Sequence, residues 1–344
     1  MMEALLRNRS RPAHAVGVES RVFQGGQLCP DSHRNSTYYP AFVWTTAATG
    51  YDAIFIQGNL PMVEFQPGVP VTVADTQVPV RRILGRNPGA MTGPGTNSYL
   101  IGTHSLSLLD PGPKDELQFD SFMAAIGAAR LDYIFVTHTH KDHSPGAARL
   151  QQATGAELVG LPAPDMPGQD LSFRPAREWH HGDIIDTEEY SVRLIHTPGH
   201  VSNHICFLLQ DEQMLFTGDH VLQGTTSVIL PPDGDMTAYL DSLHYLQTLS
   251  LRYLAPGHGD IMDEPQAELA KLIAHRLRRE QKIVDCLEAL GACHLDTLVL
   301  SVYDDVAEHL IIWAKKTLLA HLIKLQREGR AVLRDDNWQI EKNA

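Results

Sequence analysis

The string His138-Thr139-His140-Lys141-Asp142-His143 follows an apolar run over residues 131–136. Four metal-competent side chains in six residues fix where this segment can sit in any fold. A strand alternates its side chains with period two, so His138, His140 and, where the extended geometry continues, Asp142 point to one side. His143 then turns with the chain. Ser144 and Pro145 follow as a helix-start signature, an N-cap hydroxyl before a proline at the first helical position, leading into residues 146–150. The cluster is expected in a strand-to-helix loop. Imidazole mixed with carboxylate suits zinc best, with iron, manganese or nickel as substitutes. The bland alternative, solvated loop histidines in a chain that has 18 of them, needs both the spacing and the strand-end placement to be accidental.

Three later strands end in the same way. Residues 191–195 lead into His196-Thr197-Pro198-Gly199-His200, residues 213–216 into Thr217-Gly218-Asp219-His220, and residues 251–254 into Ala255-Pro256-Gly257-His258-Gly259. Each sets a His or Asp beside glycine, which permits close backbone approach. Strand-end loops on one edge of an α/β sheet gather ligands and catalytic groups. An earlier strand, Ser105 to Leu109, ends on Asp110 before Pro111-Gly112. Asp110 is either a ligand or, more in keeping with a Pro-Gly turn, an acid that supports the ligands from behind.

His138, His140 and His200 make one three-nitrogen site, Asp142, His143 and His258 make another, and Asp219 is placed to bridge them. Seven ligands exceed one tetrahedral ion and suit two. A pair of ions about 3.5–4 Å apart lowers the pKa of a shared water toward ~7 and clamps the oxygen that becomes negative, giving hydrolysis without a side-chain nucleophile.

These residues resemble the hallmark of the metallo-β-lactamase superfamily, H-x-H-x-D-H followed by a spaced His, Asp and His. Within it, Asn87-Pro88-Gly89 with Gly95-Thr96-Asn97-Ser98-Tyr99-Leu100, His196-Thr197-Pro198-Gly199-His200, Gly224-Thr225-Thr226 and Ile273-Ala274-His275-Arg276 are similar to the β-lactamase-like protein 2 group. The likeness runs over roughly residues 80–340. It implies an α/β fold, an αββα metallo-β-lactamase sandwich with a C-terminal winged-helix-like domain, and carries the metal roles onto the seven positions above. The cofactor implied is two divalent metal ions, zinc foremost, with iron or manganese as alternatives. Antibiotic-degrading members lack the bridging acid, so Asp219 points away from a true β-lactamase. Asp142 is expected to orient the attacking water as well as to ligate. His204, in Ser202-Asn203-His204, either donates a proton to the leaving group or is a hydrogen-bonded structural histidine. His196 and His220 flank ligands and are read mainly as supporting or solvent groups. Thr96, Asn97, Thr225 and Thr226 either bind substrate oxygens or shape their loops.

Composition sets the wider limits. The chain has 344 residues, no apolar run of the roughly 18 residues a membrane span needs, and 43% hydrophobic residues, so a soluble protein with no membrane partner is expected. Cys29, Cys206, Cys286 and Cys293 are scattered, which suits a reducing compartment. A cytoplasmic location is expected, with an organellar matrix as the alternative. The formal net charge of −13 opposes non-specific binding to nucleic acid. From Pro265 onward the charges balance, 12 basic against 12 acidic residues, so the acid excess lies before it.

Three segments follow. Residues 1–61 read as a disordered extension, a weak transit peptide, or a mis-assigned start preceding Met62. Residues 62–264 form the catalytic domain and 265–344 the C-terminal domain. The latter reads as helices at 265–290, near 295–302 and at 306–327, then a hairpin of residues 331–334 and 338–340. Such a module either touches nucleic acid through basic residues or serves packing or homodimerisation. The reaction is then an endoribonuclease cut of single-stranded RNA, which the resemblance implies, or hydrolysis of a small acyl thioester or ester, acyl-glutathione-like or carrier-bound. A binding protein with a vestigial site is the third reading.

Overall fold

In Asn97–Ile101 every side chain is buried, yet neighbours serve different cores: Tyr99 and Ile101 point to one face and Leu100 to the other. Such two-sided burial is what the middle of a three-layer stack demands. The computed structural model describes residues 66–73 and 75–341. The expectations for residues 1–61, for a start at Met62 and for Cys29 lie outside the described residues.

The first sheet runs in sequence order: β1 (Pro70–Thr72), β2 (Val80–Leu84), β3 (Asn97–Ile101), β4 (Ser105–Leu109), β5 (Arg130–Phe135) and β6 (Glu157–Val159). The second, β7 (Ile184–Asp186), β8 (Ser191–His196), β9 (Ile205–Leu209), β10 (Met214–Gly218) and β11 (Tyr253–Pro256), is ordered β11-β10-β9-β8-β7. Pairs β4/β5, β5/β6 and β10/β11 are parallel. Their crossovers carry α1 (Glu116–Ile126), α2 (Gly146–Thr154) and α3 (Met236–Gln247), as parallel pairing requires. Leu109, Phe135, Leu194, Phe207 and Phe216 fill the space between the sheets. Outside the first sheet, Leu108 and Ile134 pack on Phe122 of α1 and Leu150 of α2. Outside the second, Leu208 and Leu215 pack on Leu240 and Leu243 of α3 and on Leu269 and Leu272 of α4 (Pro265–Leu290). The layers are thus α, β, β, α.

Helix α4 starts at Pro265, the first residue of the expected C-terminal domain, and its first turns, with Leu269, Leu272 and Ile273, pack on the second sheet. Its later residues Ile283 and Leu287 join a separate core with α5 (Leu295–Val302) and α6 (Ile311–Arg327). A small sheet ordered β12-β14-β13, from Cys293–His294, Asn337–Ile340 and Ala331–Arg334, completes the winged-helix arrangement. The hairpin turns on Asp335 and Asp336 with φ of 47° and 61°, the left-handed pair a two-residue turn needs, so its second strand starts at Asn337. Two expected helix starts move. The segment at 306–310 forms a separate 3-10 turn at Glu308–Leu310 before α6. Helix α2 begins at Gly146, because the Ser144 hydroxyl donates to Asp170 at 2.6 Å instead of capping the helix. No helix of the described residues is long and apolar enough to cross a membrane.

Candidate metal centre

The ends of β4, β5, β8, β10 and β11 deliver Asp110, the His138–His143 string, His200, Asp219 and His258 to one place. Extended geometry stops at Phe135 and residues 141–143 form a turn, so Asp142 does not share a side with His138 and His140. The structure brings together His138, His140, His200 and Asp219 in one group and Asp142, His143, Asp219 and His258 in a second. Within each group one ligand atom per residue lies within 4.8 Å of all the others.

Donor accounting sets which atom faces inward. Thr137 Oγ1 donates to Asp110 Oδ2 at 2.7 Å, so the 3.0 Å contact between Thr137 Oγ1 and His138 Nδ1 uses the His138 proton. His143 Nδ1 donates to Asp110 Oδ2 at 2.9 Å, His200 Nδ1 to the Val228 carbonyl at 2.6 Å, and His258 Nδ1 to the Gly95 carbonyl at 3.3 Å. Each of these rings therefore turns its Nε2 to the centre, held by a partner behind it. His140 presents Nδ1, 3.0 Å from His138 Nε2 and 3.1 Å from His200 Nε2. Asp219 faces both groups: Oδ1 is 3.3 Å from His143 Nε2 and from His258 Nε2, and Oδ2 is 3.7 Å from His200 Nε2. Asp142 Oδ2 is 3.3 Å from His258 Nε2.

Charge separates the two groups. Burial pushes His138 well below the usual histidine range and, with His200 beside it, brings His140 to about 4, leaving both neutral with free lone pairs. Burial works against charge on His143 too, but Asp219, Asp142 and Asp110 outweigh it and hold that ring well above its usual range. Burial would raise Asp142; His143 and His258 outweigh it and hold the carboxyl at about 2. The second group thus draws in positive charge. His143 Nε2, His258 Nε2 and Asp219 Oδ1 are buried with no hydrogen-bond partner, the mark of atoms a cation satisfies. Nitrogen and carboxylate donors in this arrangement suit divalent metal.

The other expected residues divide. Asp110, fully buried, supports from behind: its carboxylate accepts from the Thr137 N–H at 2.8 Å and from the two side chains named above. His196 Nε2 meets the Ser202 carbonyl at 2.9 Å and braces the loop that carries His200. His204 has no solvent exposure, its Nδ1 lies 2.9 Å from Thr197 Oγ1, and burial with His220 nearby keeps it neutral. His220 is likewise buried against the Tyr239 ring, with centroids 4.7 Å apart. Thr96 and Asn97 are buried and brace loops. Asn87 Nδ2 donates to Thr96 Oγ1 at 2.9 Å, and Asn97 Nδ2 donates to the Pro256 and Gly259 carbonyls at 3.1 and 2.7 Å, fixing the His258 loop. Thr225 is exposed and Thr226 half-buried, so both can meet a substrate.

Sequence reasoning missed Thr137, the joint between Asp110 and His138, and Val228, whose carbonyl orients His200. Thr137 adjoins the string; a backbone carbonyl leaves no mark in sequence. It also missed what Gly199 does. At φ 145°, a Cβ there would stand 2.4 Å from Tyr239 Cα, so glycine lets the His200 loop lie against α3.

Residues 91–258 match the family model described as the metallo-beta-lactamase superfamily, and residues 295–338 match that of the beta-lactamase associated winged helix domain. The beta-lactamase-like protein 2 homolog of Drosophila melanogaster is 33% identical over 267 residues, covering 73% of this chain and 89% of that protein. The chain belongs to the metallo-β-lactamase superfamily. It is a hydrolase of that superfamily. Among other relatives, the atrochrysone carboxyl ACP thioesterase of Aspergillus fumigatus is 35% identical, over 61% of this chain and 65% of its own length. Thioesterase pkgB of Emericella nidulans is 38% identical, over 62% of this chain and 60% of its own. The superfamily fold is also seen in a beta-lactamase domain protein from Burkholderia ambifaria, with TM-score 0.65 at 20% identity, covering 81% of this chain and 96% of that one.

Proposed function

We propose that this protein hydrolyses an acyl thioester, carrier-bound or small, at a centre of two divalent metal ions, zinc foremost. The observation that carries the two-ion reading is Asp219, whose two oxygens face different groups of nitrogen donors. His138, His140 and His200 would hold one ion, Asp142, His143 and His258 the other, with Asp219 shared. Such a pair supplies Lewis acidity that activates water near neutral pH and stabilises oxyanion charge. Asp142 keeps a side chain 28% exposed against 13% for Asp219, so it is the acid that meets incoming water, orients it and accepts its proton. The water oxygen bonds to the acyl carbon, the C–S bond breaks, the proton passes to the departing sulfur, and acid and thiol leave. Thr225 and Thr226 line the open side as substrate contacts.

Two relatives whose names specify thioesterase support the substrate class. Charge in the C-terminal domain argues against RNA. Arg279 pairs with Asp305 at 2.8 Å, Lys324 with Glu280 at 2.9 Å, Arg330 with Glu280 at 2.9 Å and Arg334 with Glu341 at 3.2 Å, while Lys282 pairs with Asp304 and Lys315 with Asp296. Cations already matched by the protein's own acids have little left for phosphates. A colorimetric thioester assay and a gel assay on single-stranded RNA, each with and without chelator, separate the readings. Chelator-sensitive thioester turnover with intact RNA is expected. Cleavage of RNA alone would overturn the substrate class.

A further inference from the structure

Arg276 is a buried cation, 3% exposed, midway along α4. Its Nη2 donates to the Ser227 carbonyl and its guanidinium lies 5.2 Å from the centre of the Tyr239 ring. Among the described residues no carboxylate stands within salt-bridge range of it, and its Nε has no hydrogen-bond partner. Burying an unpaired guanidinium is costly, and an apolar side chain of similar length would pack there at less cost.

Both contacts lead to the metal centre. Ser227 precedes Val228, whose carbonyl fixes His200 through Nδ1 at 2.6 Å. Tyr239 donates its hydroxyl to the His220 carbonyl at 3.0 Å, immediately after Asp219, and its backbone is the surface on which Gly199 rests. His200 and Asp219 are the two members of the first group that the second sheet contributes. The geometry points to Arg276 as a positioning residue that sets His200 and Asp219 from the C-terminal helix, so that retention of the first ion depends on α4. This rests on the two-ion reading above.

The test uses the full chain loaded with zinc, and with cobalt as a spectroscopic stand-in, then dialysed against graded chelator and assayed for metal. The variants are Arg276→Met, Arg276→Lys and, as a control on the same helix, Arg279→Met, which breaks the pair with Asp305. Arg276→Met is expected to lose one of two ions about 10- to 100-fold more readily, the range for losing a partner behind a ligand. Its cobalt spectrum should change, and kcat should fall more than KM rises. Arg276→Lys should recover part of that retention, and Arg279→Met should hold both ions as the wild type does. Should Arg276→Met not fold, wild-type retention and spectrum in Arg276→Lys would overturn the assignment. So would equal loosening of both ions in Arg276→Met and Arg279→Met, which marks a general packing defect. A wild-type protein that binds fewer than two ions would instead overturn the two-ion reading beneath it.

Discussion

Asp110 Oδ2 lies 2.9 Å from His143 Nδ1, and neither side chain has any solvent exposure. The carboxylate fixes the ring so that Nε2 faces Asp142 and Asp219. Replacement by asparagine keeps the shape but offers an amide in place of a full negative charge. Asp110→Asn is expected to weaken metal retention about 10- to 100-fold at the group containing His143. Metal analysis after graded chelation checks this, and wild-type retention would show that the contact is not needed for binding.

Asp219→Ala should loosen both ions together, since each group loses an oxygen. Stoichiometry by elemental analysis should fall below two, and hydrolysis should fall with it. An unchanged pair of ions would reject the bridging role.

Gly199→Ala tests the backbone that carries His200. The added Cβ stands 2.4 Å from Tyr239 Cα and 2.5 Å from its Cβ, at a φ that L side chains rarely adopt. Overpacking of this kind costs about 1–3 kcal/mol, and a lower Tm together with lower activity is expected. A Tm equal to the wild type would mean that the loop relaxes without loss.

The motif loops were readable in the sequence because glycine, histidine and aspartate after an apolar strand allow few other uses. Strand ends followed from the glycine and Pro-Gly turns that close the apolar runs. What escaped were relations between distant backbones. Asn97 looks like a pocket residue by type, yet its amide is spent on the Pro256 and Gly259 carbonyls. Period-two spacing alone allows Asp142 beside His138 on one strand face; the turn at residues 141–143 instead sets it with His143 and His258, the grouping that the ligand count gave. No local pattern records where a turn interrupts a strand's continuation.

Acid stability should depend on Glu280, which is 4% exposed on α4. Burial would raise its carboxyl; hydrogen bonds with His321 and Lys324 outweigh that and hold it at about 2, against an ordinary 4.5. A depressed folded-state pKa contributes stability that is complete above the ordinary value and is lost as pH falls toward the folded one. Glu280→Gln should therefore flatten the fall of Tm between pH 4.5 and about 2 while lowering Tm at pH 7. Parallel Tm profiles for the two proteins across that window would show that Glu280 does not govern it.

Helix α4 has 26 residues, about 39 Å of continuous rod at 1.5 Å per residue, with one end in the sandwich and the other in the winged-helix core. A rod without a joint transmits tilt. A load placed on the outer module, by a carrier domain that docks there or by an antibody, would act as on a lever whose short arm ends beside the His200 loop.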